Sequence, residues 1–521
     1  MMNNVNRREP APVVVLVADR TLSADYRVLF EGIFATMQTT QVPEAVMRHF
    51  VSRPVKTDTL GRARTAPLGL RRVESALLEH GGLGAGEIVC TTPDALDRVL
   101  GPSVKVVAVS SSDPLGQGMS NTTTKNFWKG ELYTRYWTRD VLRRIGEAKR
   151  RYGFKVVGGG AGAWQWDRYA DATAAECIDV VFEGYFESQG PQLVKDLIEG
   201  HPRERVVREA GTCLQSIRPI RGASLLGIIE LSRGCGRGCK FCTMADRKMA
   251  HLPVETICAD LETNVAAGVR SVVSGSEDFF RYGAEGVKPE FKKLHGLLER
   301  MREIKGLSFM QIDHANISSA AQMTDEELCE VRQLLNWEER SDYLWVNMGV
   351  ESANGHLVAQ SSPGKLAPFR PEDWEDLVRQ TVERMGRNGF FSVVSLILGL
   401  PGETPNDVER TLKLVHFLED QKAVVFPVFY EPLLAEQIKN NLGFTVDKMR
   451  ADHLELYSRC YEINFRKVPL LFWDNQRAGG VSWFKRTAMQ LLGKTEVYSW
   501  RKTFRKVGRQ IAQRKTAVEM G

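Results

Sequence analysis

The chain has 521 residues, 43% hydrophobic and 26% charged, a composition that excludes disorder and fits a globular protein. At about 100–200 residues per domain, this length predicts roughly three domains. The net charge is +6, unevenly spread: residues 464–521 carry 13 Lys/Arg against 3 Asp/Glu, and the rest of the chain balances at −4. An acidic partner or a solvated helix face would each account for the basic tail. No apolar run approaches the roughly 20 residues of a membrane helix. Met1–Pro12 is not followed by the apolar stretch of a signal peptide, so a cytoplasmic location is expected.

From about 12 to 205, short apolar runs alternate with helical patterns. Val13–Ala18, Ile88–Thr91, Val104–Val109, Phe154–Val157 and Val180–Phe182 read as strands. Arg72–Glu79, Asp94–Leu100 and Arg139–Tyr152 read as helices. Such alternation implies a Rossmann-like, doubly wound parallel sheet of the α/β class. Small residues follow several strands, among them Ser110-Ser111-Ser112 and Gly158-Gly159-Gly160. Sheets of this kind bind ligands at the carboxyl ends of their strands.

From about 223 to 435, six further units are expected. Their strands are Leu225–Leu231, Ser271–Val273, Ser308–Gln311, Leu344–Met348, Val393–Leu398 and Val424–Val428. A full or partial TIM-type (β/α) barrel follows, with its site at the carboxyl ends of the strands. The remainder, 436–521, reads as mainly α-helical. Trp500, Phe504, Val507 and Ile511 share one helical face, the pattern of a docked surface helix.

Nine cysteines are too few and too odd in number for a disulfide framework. Cys90, Cys177, Cys213, Cys258, Cys329 and Cys460 are scattered and read as small buried hydrophobes. Cys235, Cys239 and Cys242 instead form C-x3-C-x2-C on a glycine-rich loop after a strand. Three occupants suit three such thiolates. A structural zinc needs a fourth ligand, for which Cys258 and His251 are nearest in sequence. A disulfide leaves one thiol over. A [4Fe–4S] cluster held by three Cys leaves one iron open. Arg233, Arg237 and Lys240 would offset the thiolate charge.

The loop, with Phe241 before the third Cys, resembles the signature of radical S-adenosylmethionine (SAM) enzymes. Three other segments resemble that superfamily in the right order. Ser276, Glu277 and Asp278 end the second strand, near where the family holds the SAM amino group. Glu351 and Ser352 end the fourth, at the family's ribose segment. Gly399 opens the family's turn after the fifth. The resemblance implies a [4Fe–4S] cluster and SAM as cofactors.

A doubly wound domain ahead of such a barrel resembles the cobalamin-dependent methyltransferases of the superfamily, and within them the tryptophan 2-C-methyltransferases. The resemblance implies that Ser110, Ser111, Ser112, Leu115, Gly116, Thr122, Thr123, Gly158, Gly159 and Gly160 line cobalamin. The triple glycine lacks the G-x-G-x-x-G order of a dinucleotide site. The Asp-x-His-x-x-Gly motif that ligates cobalt in many cobalamin proteins is absent, and Arg71 or Arg72 would stand beneath the corrin. Glu277 would either ligate the fourth iron or bind the SAM amino group.

The implied activity is C-methylation, with the methyl moving from SAM by way of methylcobalamin to a carbon such as indole C2 of tryptophan. Two alternatives stand beside it: radical methylation of an sp3 carbon in a peptide or another metabolite, and a non-catalytic metal-binding protein. Trp164, Trp166, Tyr282, Tyr430, Trp473 and Trp483 are candidates for an aromatic pocket. Gln311, Asp313, His314 and Asn316 follow the third barrel strand, and His314 is a candidate proton acceptor. The expected partners are a small aromatic substrate or peptide and an electron donor such as flavodoxin or ferredoxin, with neither nucleic acid nor membrane among them.

Overall fold

A computed structural model describes residues 11–209, 211, 214–335, 344–433, 438, 440 and 442–520; Cys213 lies outside them. The amino-terminal sheet contains β1 (Val14–Ala18), β2 (Ile88–Thr91), β3 (Val106–Ser110), β4 (Lys155–Gly159), β5 (Val180–Glu183) and β6 (Val206–Arg208). Its order is β2-β1-β3-β4-β5-β6, and every pairing is parallel. β1 and the central residues of β3 and β4 are buried from both faces, which explains their continuous Val-rich runs. The order in which strands are added reverses between β1 and β3. In such sheets that switch point opens a crevice at the carboxyl edge. Asp19, Ser111 and Gly160 all follow strands at this edge.

The second sheet system starts with β7 (Ile228–Glu230) and the short antiparallel pair β8 (Ser232–Arg233) and β9 (Ala250–His251). It continues through β10 (Ser271–Gly275), β11 (Phe309–Ile312), β12 (His314–Asn316), β13 (Leu344–Glu351), β14 (Phe390–Leu398) and β15 (Ala423–Phe429). β11-β10-β7 and β12-β13-β14-β15 are each fully parallel. Asp313 alone separates β11 from β12, so the third strand is a single broken unit. Six such units make an open (β/α) barrel. Amphipathic helices, among them Phe291–Arg302 and Trp374–Arg387, cover its outside.

Two local expectations are corrected. Leu225–Leu231 is not one strand: a 3-10 turn at Leu225–Gly227 precedes β7, with Leu226 at φ +57°. The helix expected at Asp94–Leu100 is only Leu96–Val99. Thr122 and Thr123 lie on a helix, Met119–Phe127. β-branched residues are poor helix formers, but here Thr122, Thr123 and Thr124 donate their hydroxyls back to the carbonyls of Met119, Met119 and Ser120.

The carboxyl-terminal region is two long helices, Ala451–Ala478 and Trp483–Met520. Trp500, Phe504 and Val507 are buried against the rest of the protein, with the Trp500 ring packed on Tyr461 and Phe127. No helix among the described residues is long and apolar enough to cross a membrane.

Candidate functional site

The cysteine loop leaves the barrel at the carboxyl end of β7 and β8. Gly234, at φ +77°, lets it turn; a Cβ there would stand 2.6 Å from the carbonyls of Arg247 and Lys248. The Cys235 amide donates to Arg247 O (2.9 Å), and the Cys242 amide to Cys239 O (3.1 Å). The thiols interact electrostatically in sequence, Cys235 with Cys239 and Cys239 with Cys242. Burial pushes the Cys235 thiol up to about 11. Among the described residues the three sulfurs do not all lie within 4.8 Å of one another. Thiolates around one tetrahedral zinc would sit about 3.8 Å apart. A cubane places each thiolate on a different iron, so its sulfurs stand farther apart. Neither expected fourth zinc ligand is grouped with the three sulfurs: His251 contacts Ala284 O through Nε2 at 2.9 Å and leaves Nδ1 unpartnered, and Cys258 sits among Arg300, Glu262, Glu255 and Glu303. The donor set fits a cluster better than a zinc ion.

The arginines expected to offset thiolate charge do other work. Arg237 is buried and donates to Asp278 Oδ2 (2.9 Å), Ser318 Oγ (3.0 Å), Ser319 Oγ (2.8 Å) and Gly364 O (2.9 Å). It pins the loop to β10 and to the segment that follows β13. Arg233 forks onto Glu187 (2.6 and 2.9 Å) and Glu230 (2.6 and 2.9 Å). Arg71 and Arg72 are engaged by the protein itself. Arg71 binds Ala63 O and Ala223 O, and Arg72 clamps Asp260 and Glu230.

At the end of β10, only Glu277 stays available. Asp278 is consumed by Arg237, Ser319 Oγ (2.7 Å) and the Asn316 amide (3.1 Å). Ser276 shares a 2.6 Å hydrogen bond with Ser232. Glu277 Oε2 is buried without a hydrogen-bond partner, and burial, with Glu230 adding repulsion, pushes its carboxyl up to about 7. On the third strand, Gln311 is turned toward Trp345 O and Asn475, and Asn316 caps the helix Ile317–Ala321. Asp313 and His314 remain, with His314 Nδ1 3.1 Å from Asp313 Oδ1. The His314 side chain is 55% accessible although protein surrounds it closely enough to disfavour its charge. Asp313 and Glu277 outweigh that burial and hold its pKa above the ordinary value.

Two residues that the motifs did not single out adjoin these groups. Lys365 is buried and ion-paired with Glu351, and it faces Cys239 and Cys242. Burial opposes its charge, and Glu351 and Cys239 outweigh burial. Glu351 adopts φ +64° at a register shift between β13 and β14. A non-glycine residue held there stores strain of order 1–3 kcal/mol, of the kind that clusters at functional sites. Tyr185 arrives from the loop after β5, stacked by Arg233 (4.3 Å) and Arg247 (5.0 Å) and within electrostatic reach of Glu277. Lys365 and Tyr185 carry no motif; only the fold brings them here.

The remaining expected residues divide. Ser352 bonds Thr411 Oγ1 (3.3 Å) and the Asn354 amide (3.2 Å). Gly399 receives Phe444 where a Cβ would be, and its amide donates to Glu403 (3.2 Å). Phe241 is buried in the barrel core. In the amino-terminal sheet, Ser110, Ser112, Gly159 and Gly160 remain partly or fully exposed at the carboxyl edge, and a Cβ on Gly159 would meet nothing nearer than 3.9 Å. Ser111 is tied to Thr138 (3.3 Å), and Leu115 and Gly116 are buried. Gly158 admits Trp166 and Ile178 (2.9 Å). Thr122 and Thr123 face the domain junction, where Thr123 Oγ1 accepts from the Phe429 amide at 2.7 Å. The expected aromatic pocket does not assemble as a whole. Trp166 is core, Tyr282 bonds Leu252 O (2.8 Å), and Trp473 lies under Arg486. Trp483 is 65% exposed on the carboxyl-terminal helix. Trp164 and Tyr430 do approach the same junction, through Arg168, which stacks on Trp164 and donates to Leu433 O (2.7 Å).

Comparison with known proteins agrees with this geometry. Residues 229–415 match the radical SAM superfamily. The sequence is 24% identical over 276 residues to the ribosomal protein uS12 methylthiotransferase RimO of Trichlorobacter lovleyi, covering 51% of this chain and 56% of that protein. It is 25% identical over 311 residues to the tRNA-2-methylthio-N(6)-dimethylallyladenosine synthase of Saccharopolyspora erythraea, covering 58% and 60%. The chain thus spans little more than half the length of these curated relatives. Structurally it is similar to the radical S-adenosylmethionine methyltransferase TsrM of Kitasatospora setae. With tryptophan and a SAM analogue bound, that protein superposes with a TM-score of 0.54 at 16% identity over 81% of this chain and 74% of that one. Its form with cobalamin and a [4Fe–4S] cluster gives 0.52, 15%, 80% and 72%. The centre of the chain, residues 229–415, is a radical SAM domain, and the chain around it shares the fold of that methyltransferase.

Proposed function

We propose that the protein is a cobalamin-dependent radical SAM C-methyltransferase acting on an indole or another aromatic small molecule, with C2 of tryptophan the lead position. One observation carries the reading: the carboxyl edge of the amino-terminal sheet meets the cysteine loop, through Tyr185 and Glu187 against Arg233. A broad ligand lying along this edge from the switch point over β4 would extend toward the three thiols. Cys235, Cys239 and Cys242 would hold the cluster. Ser110, Ser112, Gly159 and Gly160 would receive the corrinoid, and Glu277 would take either the fourth iron or the SAM amino group. When bound, these groups supply the transferable methyl and the centre that carries it.

The chain's own residues then have distinct tasks. Arg237 holds the cysteine loop against β10. Lys365 sets a positive charge beside Cys239. His314, with Nδ1 toward Asp313 and its side chain accessible, offers Nε2 as the acceptor for a proton such as that on indole N1.

A second reading, methylthio transfer, is favoured by the curated relatives' sequences. Product mass separates the two, because a methylthio product contains sulfur and a methyl product does not. Anaerobic purification with metal analysis tests the main reading: about four irons and one cobalt per chain are expected. Cobalt-free protein that still turned over would overturn it. 5′-Deoxyadenosine formed in step with product would replace methyl transfer to an aromatic carbon by radical methylation of an sp3 carbon.

A further inference from the structure

The last helix, Trp483–Met520, changes its apolar face partway along. From Trp500 onward the apolar stripe of Trp500, Phe504 and Val507 points inward and is buried. Before it, Phe484, Leu491 and Tyr498 repeat every seven residues on the opposite side and point outward. They are 74%, 58% and 66% exposed. Trp483 and Leu470, the latter on the neighbouring helix Ala451–Ala478, add to this patch. Among the described residues, most of the exposed large hydrophobics of the whole protein lie on this one helical hairpin. The inner side of the same stretch is anchored by Lys485 on Glu31, Arg486 on Trp473 and Gln490 on Pro469 O, so the patch is not a helix awaiting its own docking site.

Charge selects the occupant. Continuing along the outward face beyond Tyr498 come Lys502, Arg505, Lys506 and Arg509. Residues 483–515 contain ten Lys/Arg and one acid, Glu496. A second copy would set cation against cation. A redox partner has no reason to dock here: Leu471, beside the patch, packs with Trp345, Phe391 and Val424 at the amino ends of β13–β15, the end of the barrel away from the cysteines. A single convex helix face with exposed aromatics and leucines, continued by cations, suits a flat anionic surface.

We infer that the outward face of residues 483–509 seats the protein on an anionic lipid bilayer, the aromatic and leucine side chains entering the headgroup region and the Lys/Arg row meeting lipid phosphates. This replaces the expectation that no membrane is a partner, and it does not depend on the reaction proposed above.

The test is co-sedimentation of the full chain with vesicles of phosphatidylcholine alone and with a third phosphatidylglycerol, at low and high salt. Binding is expected only to the anionic vesicles, weakening as salt rises. F484S/L491S/Y498S should abolish it. K502E/R505E/K506E/R509E should weaken it about a hundredfold or more. All seven positions are exposed, so circular dichroism and iron content should match the parent. No binding to anionic vesicles overturns the inference. So does binding untouched by the triple serine variant, which would be adsorption by charge alone. So does a concentration-dependent dimer that this variant dissolves, which would make a second copy the occupant.

Discussion

Arg233 and Glu187 form a buried, two-pronged ion pair, Nη2–Oε1 2.6 Å and Nη1–Oε2 2.9 Å, between the cysteine loop and the edge of the amino-terminal sheet. The contact continues as a chain of charges. Arg233 also holds Glu230, Glu230 meets Arg72, and Arg72 holds Asp260 on a barrel helix. Arg72 and Glu187 belong to the sheet domain, and Arg233, Glu230 and Asp260 to the barrel. The segment that begins the cysteine loop is therefore also the hinge pin of the two layers, and the two proposed cofactor sites are fixed relative to each other by charge as well as by packing.

Removing one member of such a buried set leaves its partners charged and unpaired. Arg233→Ala should lower the unfolding free energy by about 3–5 kcal/mol, and Arg233→Lys, which keeps charge but loses the fork, by less. Urea denaturation measures both. A change for Arg233→Ala below about 1 kcal/mol would mean that the pair is solvated and pins nothing.

Gly399 offers a separable test of loop packing. Its φ is +78°, and an added Cβ would collide with the Phe444 ring. Gly402, in the same turn at φ +89°, has nothing nearer its Cβ position than Gln360 at 3.4 Å. Gly402→Ala should cost about 1–2 kcal/mol from backbone strain alone. Gly399→Ala should cost a further 1–3 kcal/mol or so for overpacking. Equal thermal shifts for the two variants would remove Phe444 from the account.

Much of the architecture was legible because its signals are local. Val-rich runs, small residues at strand ends and the C-x3-C-x2-C spacing each report on a few neighbouring residues. What escaped was long-range. Nothing near Tyr185 or Lys365 in sequence marks them; they join the site because one loop crosses from the sheet domain and one segment folds back after β13. The same effect reassigns residues whose type suited a ligand. Asp278 and Ser276 were chemically apt, but Arg237 and Ser232 reached them first. Gly158 reads as a cradle for a flat ligand, and the fold uses it to admit Trp166. Thr123 has a hydroxyl suited to a ligand, and the fold spends it on Phe429. Trp473 and Trp483 are aromatic, but the helices that carry them are on the far side of the barrel.

Asp19 gives a pH prediction away from the cysteines. It is fully buried after β1, with Oδ1 accepting from Thr21 and Oδ2 unpartnered, and burial raises its pKa from 3.8 to about 6. A carboxyl raised on folding favours the folded state when protonated. Its contribution is complete below about pH 4 and is lost as the pH rises through 6. Asp19→Asn should therefore match the parent near pH 4 and exceed it by of order 2–3 kcal/mol at pH 8. Unfolding free energies of both proteins at the two pH values decide it, and a difference independent of pH would show that Asp19 ionises freely in the fold.

The Asp313–His314 pair is the sharpest test of the proposed chemistry. If His314 Nε2 accepts a substrate proton, His314→Ala should lower kcat by about 10²–10⁴-fold while iron content and SAM binding hold. Activity should then require neutral imidazole and fall as the pH drops through the His314 pKa, which Asp313 and Glu277 hold above the ordinary value against burial. Asp313→Ala removes the larger of those two influences, so the acid limb of the kcat profile should move to lower pH. A His314→Ala enzyme with unchanged kcat would leave the proton to another group. An acid limb that stayed fixed in Asp313→Ala would mean that His314 does not set it.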